Sequence, residues 1–382
     1  MDSYSHLWAP LKLHVGEGSL DKLARDLDRA GVRRALVVTS PTLAADAGIM
    51  EAITNALGAR LVGIHSGARP HSPIPSVLAT AQVLADSGAD GVVALGGGSA
   101  VVTARAAAIA LAEGHDLRAL ATSRTANGQL HSPRLERPKL PQFVVPTTPV
   151  TAMVKAGSAV LDPNNGERLA LFDPKTRAQS VALDSRMLGS APRALVLEAG
   201  LGVLMLSIEG LMARGCDPVA EALLVQAVRQ IWRALKEDLN APCTRADLAV
   251  AAAMAGRGTD HVGGGIAGVL GHAVGPRFHL ANARVIAVVL PAVIRFNAEV
   301  AADRIALAAW ALGGQGDADD LAAAMAATRD RLGLAGRLRD LDVPADLLPE
   351  IARAGMGDWS LRGAPRQVTD ESELMAILRQ VW

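Results

Sequence analysis

The sequence predicts an α/β N-terminal lobe built on a parallel sheet, about residues 1–187, and an all-helical C-terminal lobe, residues 188–382. Short β-branched runs alternate with amphipathic helical stretches from about residue 10 to 186, which is typical of parallel strands joined by crossover helices. The strand pattern then stops, and Ala- and Leu-rich segments broken at Gly or Pro run to the C-terminus. Apolar residues make up 50% of the 382 residues and aromatic residues only 3%, so the core consists mainly of Ala, Val and Leu.

Each element of the N-terminal lobe follows from its local pattern. LDKLARDLDRAG and GIMEAITNALG have helical periodicity and flank the first strand, which gives a βαβ pattern. The polar stretch 121–142 is rich in turn formers and predicts a loop before the last strand. Runs of β-branched residues predict four strands, RRALVVTS (33–40), RLVGIHSG (60–67), DGVVALGGGS (90–99) and FVVPTT (143–148).

Charge and cysteine content exclude several classes of protein. Lys and Arg together number 38, as do Asp and Glu, so the net charge of +0 gives no attraction to nucleic acid or to an acidic membrane. Cys216 and Cys243 form no CxxC pair, so we expect neither a disulfide framework nor a thiolate metal site. The start of the chain has no signal-peptide pattern. We therefore expect a cytoplasmic protein that acts on a small molecule.

The most apolar stretch of the chain is residues 194–213. It contains Glu198 and Glu209 and lacks the uninterrupted run of about 18 apolar residues that a membrane span needs. We expect a buried core helix here, and no membrane partner.

A glycine loop follows one of the predicted strands. Gly96, Gly97, Gly98 and Ser99 stand between this strand and an Ala-rich helix. Glycines let the backbone turn sharply and approach a ligand, and the N–H groups at a helix start favour phosphate, so this segment suits a pyrophosphate. The alternative is a tight turn without a ligand.

A threonine turn follows the next strand. Thr147, Thr148 and Thr151 lie where open α/β sheets bind ligands, and their hydroxyls suit a nicotinamide or a ribose. The alternative is that they form a helix cap or a local turn. The combination of this turn with the glycine loop favours a dinucleotide site.

This order of motifs resembles the iron-containing (group III) alcohol dehydrogenase superfamily: strand, GGGS and helix, then PTT about fifty residues later, then an all-helical half. Within the superfamily, SGARPHSPIPSV (66–77) and the C-terminal APRQVTDESELMAILRQVW look most like maleylacetate reductase. The resemblance covers essentially the whole chain. It implies a dehydroquinate synthase-like fold with a Rossmann-like first lobe, a homodimer, NAD or NADP as cofactor, and an active site in the cleft between the lobes.

The metal ligands of the superfamily are replaced in this chain. Matching GLGVLMLSIEG and GIAGVLGHAVGPRFHLANARVIAVVLPAVIRFN to the family pattern puts Gly202, Leu206, Gly268 and Asn282 at the four ligand positions. Gly and Leu offer no side-chain donor, and one amide does not hold iron or zinc. The sequence therefore predicts a divergent member without a metal. His272 falls on a non-ligand histidine of the pattern.

The cofactor motifs also depart from the family pattern. Val102 and Arg105 replace an Asp and a Lys after the glycine loop, and Val150 and Val154 stand in the second half of the PTT motif. Ser40 ends a strand where NAD-preferring members often carry an Asp that binds the adenosine ribose. Without that carboxylate, NADP or dual use becomes possible.

Two histidines are the catalytic candidates. Without a metal, reduction of a carbonyl needs a hydrogen-bond donor for the developing alkoxide, and histidine suits this role. His272 is the leading candidate; it shares a helix face with Gly268, whose missing side chain is expected to open space for a bulkier substrate. His279 follows Gly275 and Pro276 and either returns to the same site or is a structural residue.

Three further side chains are substrate-binding candidates. Arg277 suits a bidentate contact to a substrate carboxylate, or is a solvated surface arginine. Asn282 donates a hydrogen bond at the former ligand position, or caps the following helix. Lys155 points to the substrate, or is an ordinary exposed lysine. Asp260 is interpreted as a helix N-cap.

Two functions remain open on the sequence. The first is a metal-independent NAD(P)H-dependent reductase of a carbonyl or oxo-acid, which the retained GGGS and PTT motifs favour. The second is a non-redox enzyme (hydrolase, lyase or cyclase), or a binding protein, that reuses the same cleft; the loss of every ligand position favours it.

Overall fold

The computed structural model describes residues 3–125 and 129–382, and all elements below belong to these ranges. The described strands, in chain order, are β1 Lys12–Val15, β2 Ala35–Val38, β3 Leu61–His65, β4 Gly91–Gly96, β5 Ser123–Arg124, β6 Leu130–His131, β7 Gln142–Pro146, β8 Gly157–Leu161, β9 Arg168–Phe172 and β10 Ala178–Leu183.

The described α-helices, in chain order, are α1 Ser19–Arg29, α2 Pro41–Ala44, α3 Ala47–Leu57, α4 Ile74–Asp86, α5 Gly98–Glu113, α6 Ser185–Gly189, α7 Arg193–Met212, α8 Pro218–Ala234, α9 Pro242–Val262, α10 Ile266–Val274, α11 Asn282–Phe296, α12 Ala302–Ala311, α13 Ala318–Arg331, α14 Leu348–Met356 and α15 Glu371–Val381. Short 3₁₀ helices cover Gly58–Arg60, Thr151–Val154, Pro174–Thr176, Leu338–Leu341, Ala345–Leu347 and Trp359–Gly363.

Six strands form one parallel sheet in the order β1, β10, β7, β4, β2, β3. Every residue of β2, β4 and β7 is buried, whereas the edge strands β1 and β3 are partly exposed. Central strands covered on both faces need continuous apolar runs, and these are the runs that the sequence displays. All four strands predicted from the sequence belong to this sheet, and the predicted fold class is confirmed.

The structure adds two antiparallel hairpins to the sequence prediction. β8 and β9 pair from Gly157 with Phe172 to Leu161 with Arg168, and no strand was predicted there. β5 and β6 lie inside the stretch 121–142 that was predicted as a loop; residues 126–128 of that stretch lie outside the described residues. Two-residue strands are too short to show a period of two, which is why the sequence pattern did not indicate them.

The chain divides into two units. The first, here called the sheet unit, comprises residues 8–196 and 238–256; the second, the helical unit, comprises the described residues up to Leu7, residues 197–237 and residues 257–382. In the sheet unit, one core cluster is built on Leu23, Val37, Ile53 and Phe143. In the helical unit, α11 packs against α10, α13 and α15. The buried core consists mainly of aliphatic side chains, as the composition predicts.

Helix α7 is long and apolar enough to cross a membrane on length and composition alone. However, 72% of its most apolar 18-residue window is buried inside the protein. The core helices of globular proteins meet the same criterion, so this burial supports the predicted core helix.

Candidate functional site

The glycine loop and the threonine turn lie side by side at the carboxyl edge of the sheet. β4 and β7 are parallel neighbours, and their register pairs Gly96 with Pro146. Directly after these strands, the backbone N–H of Thr147 donates to the carbonyl of Gly96 over 3.2 Å. Ligands of open α/β sheets bind at this edge. The two motifs, which are about fifty residues apart in the sequence, therefore lie next to each other in the fold, as their combination predicts.

The glycine loop has the backbone that its sequence requires. Gly96 has φ +139°, and a Cβ there would lie only 3.2 Å from the side chains of Ala100 and Leu43, so a larger residue would be strained. Gly97 is the N-cap of α5 and no side chain caps this helix. A Cβ on Gly98 would have no atom within 4 Å. The first turn of α5 thus combines uncapped N–H groups with open space, which suits a phosphate.

The threonines extend this surface. Thr147 and Thr148 are buried, each 4% exposed, and the Thr148 Oγ1 lies 3.4 Å from where a Cβ on Gly97 would be. Thr151 begins the 3₁₀ helix Thr151–Val154 and is half-buried. The three threonines therefore lie beside the glycine loop at the edge of the sheet, which is the position that the predicted cofactor contacts need.

Arg105 is a residue whose role the sequence did not indicate. It is fully buried, and its guanidinium donates to the carbonyls of Gly157 over 2.7 Å and of Ala152 over 2.6 Å. Its Nε also donates to Gln142 Oε1 over 3.4 Å. These bonds tie α5 to the 3₁₀ helix after the threonine turn and to β8. Arg105 therefore positions the threonine segment relative to α5.

Ser40 and Lys155 also belong to the sheet unit. Ser40 lies two residues after the end of β2. Its Oγ accepts a 3.3 Å hydrogen bond from the N–H of Leu43, so Ser40 caps α2. Because β2 is the parallel neighbour of β4, Ser40 lies at the same sheet edge as the glycine loop. Lys155 follows the 3₁₀ helix, is half-buried and has partners of its own. Its contact with a substrate stays a prediction.

In the helical unit, His272 is oriented by an aspartate that no sequence pattern indicates. His272 Nδ1 lies 2.8 Å from Asp358 Oδ2, and the two side chains are 22% and 8% exposed. The other oxygen of Asp358 accepts from the Ser360 N–H over 2.7 Å, and the Trp359 ring lies 5.1 Å from the imidazole. The carboxylate accepts a hydrogen bond from Nδ1 and so fixes the orientation of the imidazole. Nε2 is not part of this contact.

Two of the four predicted ligand positions, Gly202 and Gly268, have no open space beside them. A Cβ on Gly268 would lie 3.3 Å from Glu209 Oε2 and 4.0 Å from a methyl of Leu206, and a Cβ on Gly202 would lie 2.7 Å from the Cβ of Ala283. Gly268 and His272 do share helix α10, as predicted. The expectation that Gly268 opens room for a bulkier substrate is wrong, because the Glu209 carboxylate occupies that room.

Asn282 does not cap α11. The N-cap is Ala281, and Asn282 is the first residue of the helix. Its Oδ1 is buried and has no hydrogen-bond partner in the part of the chain that the structure describes. Among the four predicted ligand positions, Asn282 provides the one polar side chain, and two Gly and one Leu complete the set. This donor set does not fit an iron or zinc ion.

The remaining candidates are placed as follows. His279 is exposed and has φ +54°, so it is a turn residue on the surface. Arg277 forms a 3.4 Å ion pair with Glu350, which is itself 57% exposed.

Asp260 lies inside α9 near its end and is not a helix N-cap. The N-cap interpretation is wrong because α9 continues through Asp260 to Val262, and the next helix has Gly265 as its N-cap.

Glu209 is the most perturbed acid in this region. It is 2% exposed, and its two oxygens accept from the N–H groups of Ala267 over 2.6 Å and Gly268 over 3.0 Å. Burial raises the pKa of Glu209 to about 7, although these hydrogen bonds favour the charged form. The carboxyl group thus pairs with buried N-terminal N–H groups of α10, whose N-cap residue Gly265 provides no side-chain cap.

Sequence comparison identifies a family over almost the whole chain. The sequence model of "Iron-containing alcohol dehydrogenase" matches residues 10–185, and that of "Fe-containing alcohol dehydrogenase family, C-terminal" matches residues 196–382. Lactaldehyde reductase of Escherichia coli strain K12 is 28% identical over 381 residues, covering 96% of this chain and 97% of the relative. Maleylacetate reductase of Rhizobium sp. strain MTP-10005 is 28% identical over 359 residues, covering 91% of each.

Solved structures give the same result for the fold. Maleylacetate reductase from Agrobacterium tumefaciens has a TM-score of 0.80 at 25% identity, covering 100% of this chain and 99% of that chain. A 1,3-propanediol oxidoreductase has a TM-score of 0.90 at 23% identity, with 100% of both chains covered. The predicted dehydroquinate synthase-like architecture is confirmed.

Proposed function

Because this chain belongs to the iron-containing alcohol dehydrogenase family, we propose that it is an NAD(P)H-dependent reductase of a carbonyl substrate that works without a catalytic metal ion. Members of this family are oxidoreductases, among them lactaldehyde reductase and maleylacetate reductase. The observation that carries the proposal is the junction of the glycine loop with the threonine turn at the carboxyl edges of β4 and β7.

The residues of this junction suit a dinucleotide. The N–H groups of Gly98 and Ser99 at the start of α5 bind the pyrophosphate, and the absence of a Cβ on Gly98 lets it approach the backbone. Thr147, Thr148 and Thr151 bind the nicotinamide or its ribose. When bound, the reduced cofactor supplies the hydride.

His272 is the proposed acid. Its Nδ1 is held by Asp358 at 2.8 Å. In the doubly protonated imidazolium form, the Nε2–H donates a hydrogen bond, and then its proton, to the carbonyl oxygen of the substrate. This role replaces the polarisation that a metal ion provides. Asp358 positions the imidazole and does not itself contact the substrate.

The donor chemistry supports metal independence. Gly202, Leu206 and Gly268 offer no side-chain ligand, and both glycines lie against other side chains. No conformational change supplies the three missing donors. The proposed mechanism therefore depends on His272 for activation of the carbonyl.

We propose an oxo-acid as the substrate class. Maleylacetate reductases are among the relatives and the structural neighbours. Arg277 is the candidate for the substrate carboxylate, since its present partner Glu350 is exposed and the ion pair is long, 3.4 Å. His279 and Lys155 stay secondary candidates for substrate contact.

The deciding experiment is titration of the purified protein with NADH and with NADPH, followed by nicotinamide fluorescence. The proposal expects saturable binding of at least one of them, and turnover of an oxo-acid. Replacement His272→Ala should abolish turnover and leave cofactor affinity near that of the wild type. Absence of saturable binding of both cofactors would exclude a reductase and favour the non-redox alternative, for which the lost ligand set is the supporting observation.

The homodimer implied by the family resemblance remains a proposal. Light scattering after size-exclusion chromatography should give twice the chain mass of 39.5 kDa. A monomeric mass would exclude it.

A further inference from the structure

A second group of metal-ligand side chains lies in the helical unit, apart from the four family positions. His6, Asp217 and His261 bring one ligand atom each to within 4.8 Å of one another. Asp217 Oδ2 lies 2.9 Å from His6 Nδ1 and 3.0 Å from His261 Nε2. The two imidazole centroids are 4.3 Å apart. We infer that His6, Asp217 and His261 form a structural binding site for a divalent transition metal ion of the Zn²⁺ class.

The donor set fits such an ion. Two imidazole nitrogens and one carboxylate oxygen are ligands that Zn²⁺ accepts, with bonds of about 2.0–2.2 Å. In a tetrahedral site these bonds place neighbouring donor atoms roughly 3.3–3.5 Å apart. The two oxygen–nitrogen distances, 2.9 and 3.0 Å, need to open by only a few tenths of an ångström. A water molecule completes four-coordination.

The three ligand side chains are mostly buried, but the site is still partly accessible to solvent. The side chains of His6, Asp217 and His261 are 10%, 5% and 22% exposed. Asp217 Oδ1 is already used, since it accepts from Ala220 N over 2.8 Å and caps α8. This bond fixes the carboxylate, so Oδ2 is the oxygen that faces both imidazoles.

The helix ends around the site oppose each other electrostatically. His261 lies in the last turn of α9, whose negative end favours a cation. Asp217 lies at the start of α8, whose positive end disfavours one. Because the effects of the two helix ends oppose each other, the attraction for the ion comes mainly from the negative charge of the Asp217 carboxylate.

The consequence is a link between distant parts of the chain. His6 lies 211 residues before Asp217, so the ion ties the N-terminal segment to the start of α8 and the end of α9. Closing so long a loop through a ligand stabilises the folded state relative to the unfolded chain. The inferred role is structural and does not depend on the proposed reductase activity.

The test measures metal binding directly. The chelator-treated full-length protein is titrated with Zn²⁺ against a chromophoric chelator, and with Co²⁺ while its visible absorption is recorded. The expected result is one Zn²⁺ per chain, a tetrahedral Co²⁺ spectrum and a higher Tm with Zn²⁺. Absence of stoichiometric binding to the wild type overturns the inference.

Two substitutions separate ligation from hydrogen bonding. In His6→Asn the amide nitrogen takes the place of Nδ1, and in His261→Gln it takes the place of Nε2, so both keep a donor to Asp217 and lose the imidazole. Each should weaken Zn²⁺ binding by at least about 100-fold, since even loss of an outer-shell partner costs 10–100-fold. The Tm of the metal-free variants should stay near that of the metal-free wild type.

His14 provides the matched control. It forms a similar pair with one carboxylate, with Nε2 2.7 Å from Asp26 Oδ2, and is 17% exposed. His14→Gln should leave Zn²⁺ affinity and stoichiometry unchanged. Unaltered Zn²⁺ affinity in the double variant His6→Asn, His261→Gln would show that the ion binds elsewhere, and would reject the site.

Discussion

His272 Nδ1 and Asp358 Oδ2 lie 2.8 Å apart, although 86 residues separate them in the sequence. The pair joins α10 to the start of the 3₁₀ helix Trp359–Gly363, and Asp358 is itself held by the Ser360 N–H. A buried carboxylate behind an imidazole fixes its tautomer and its orientation. This contact supports the proposed role of His272 as the acid of the reaction.

Asp358→Asn tests the orientation of His272. The neutral amide keeps an acceptor for Ser360 but no longer holds Nδ1 with a carboxylate, so kcat should fall by roughly 100-fold. The dissociation constant for NADPH, from fluorescence titration, should stay within error of the wild type. Unchanged kcat would remove Asp358 from the mechanism, and a parallel loss of cofactor affinity would indicate a general structural defect.

Gly98→Ala tests the phosphate cradle. The added Cβ meets no atom within 4 Å, so the free protein should fold normally or gain up to about 1 kcal/mol of stability from the better helix former. The methyl group instead obstructs the cofactor, whose Kd should rise by at least about 10-fold. Gly189→Ala, at the end of α6 and also in open space, is the control and should leave Kd unchanged. Equal cofactor affinity in both variants would place the pyrophosphate elsewhere.

Ser40→Asp tests cofactor choice. Asp caps helices as well as Ser does, so α2 should keep its N-cap and the thermal stability should change little. The new carboxylate repels a 2′-phosphate and accepts hydrogen bonds from ribose hydroxyls. The ratio of the Kd values for NADPH and NADH should therefore rise by about 10-fold or more, measured by parallel titrations. A constant ratio would exclude Ser40 from the adenosine ribose site.

Glu209 should make stability fall as pH rises. Its pKa in the folded state is about 7, against 4.5 ordinarily, so the folded protein holds this proton more tightly than the unfolded chain. The contribution is complete below pH 4.5 and is lost as pH rises through about 7, an effect on the order of 3 kcal/mol. Urea unfolding of the wild type and of Glu209→Gln at several pH values in this window measures it.

The Glu209→Gln variant should be less stable than the wild type below pH 4.5, by roughly 1–3 kcal/mol, because its amide N–H faces a backbone donor. The difference should shrink as the pH rises through about 7, because only the wild type loses the stability that comes from the bound proton. Its stability should also depend less on pH between 4.5 and 7. Parallel curves for the two proteins would contradict the raised pKa.

Asp26 has the opposite dependence. Burial alone would raise the pKa of Asp26, but hydrogen bonds from Lys12, His14 and Arg29 lower it from 3.8 to about 2. The resulting stability is present above pH 3.8 and is lost as pH falls through about 2. Asp26→Asn should therefore cost on the order of 2 kcal/mol at pH 7. In acid unfolding curves the difference from the wild type should shrink below pH 3.8, and a constant difference would reject this origin.

The sequence by itself determined the class of fold and the cofactor motifs. Buried parallel strands need continuous β-branched runs, and a sharp strand-to-helix turn needs glycine, so both leave local patterns that can be read without a structure. The glycine loop at Gly96–Ser99 and the threonine turn were both visible in this way.

Only the tertiary structure decided which distant groups meet. Asp358 behind His272, Glu209 in the space beside Gly268, the carbonyls around Arg105 and the His6–Asp217–His261 group are all contacts between segments far apart in the chain. Such contacts have no fixed spacing, since they are set by the packing of helices and strands rather than by the period of one element. This is why the sequence identified His272 as a candidate but not the carboxylate that orients it.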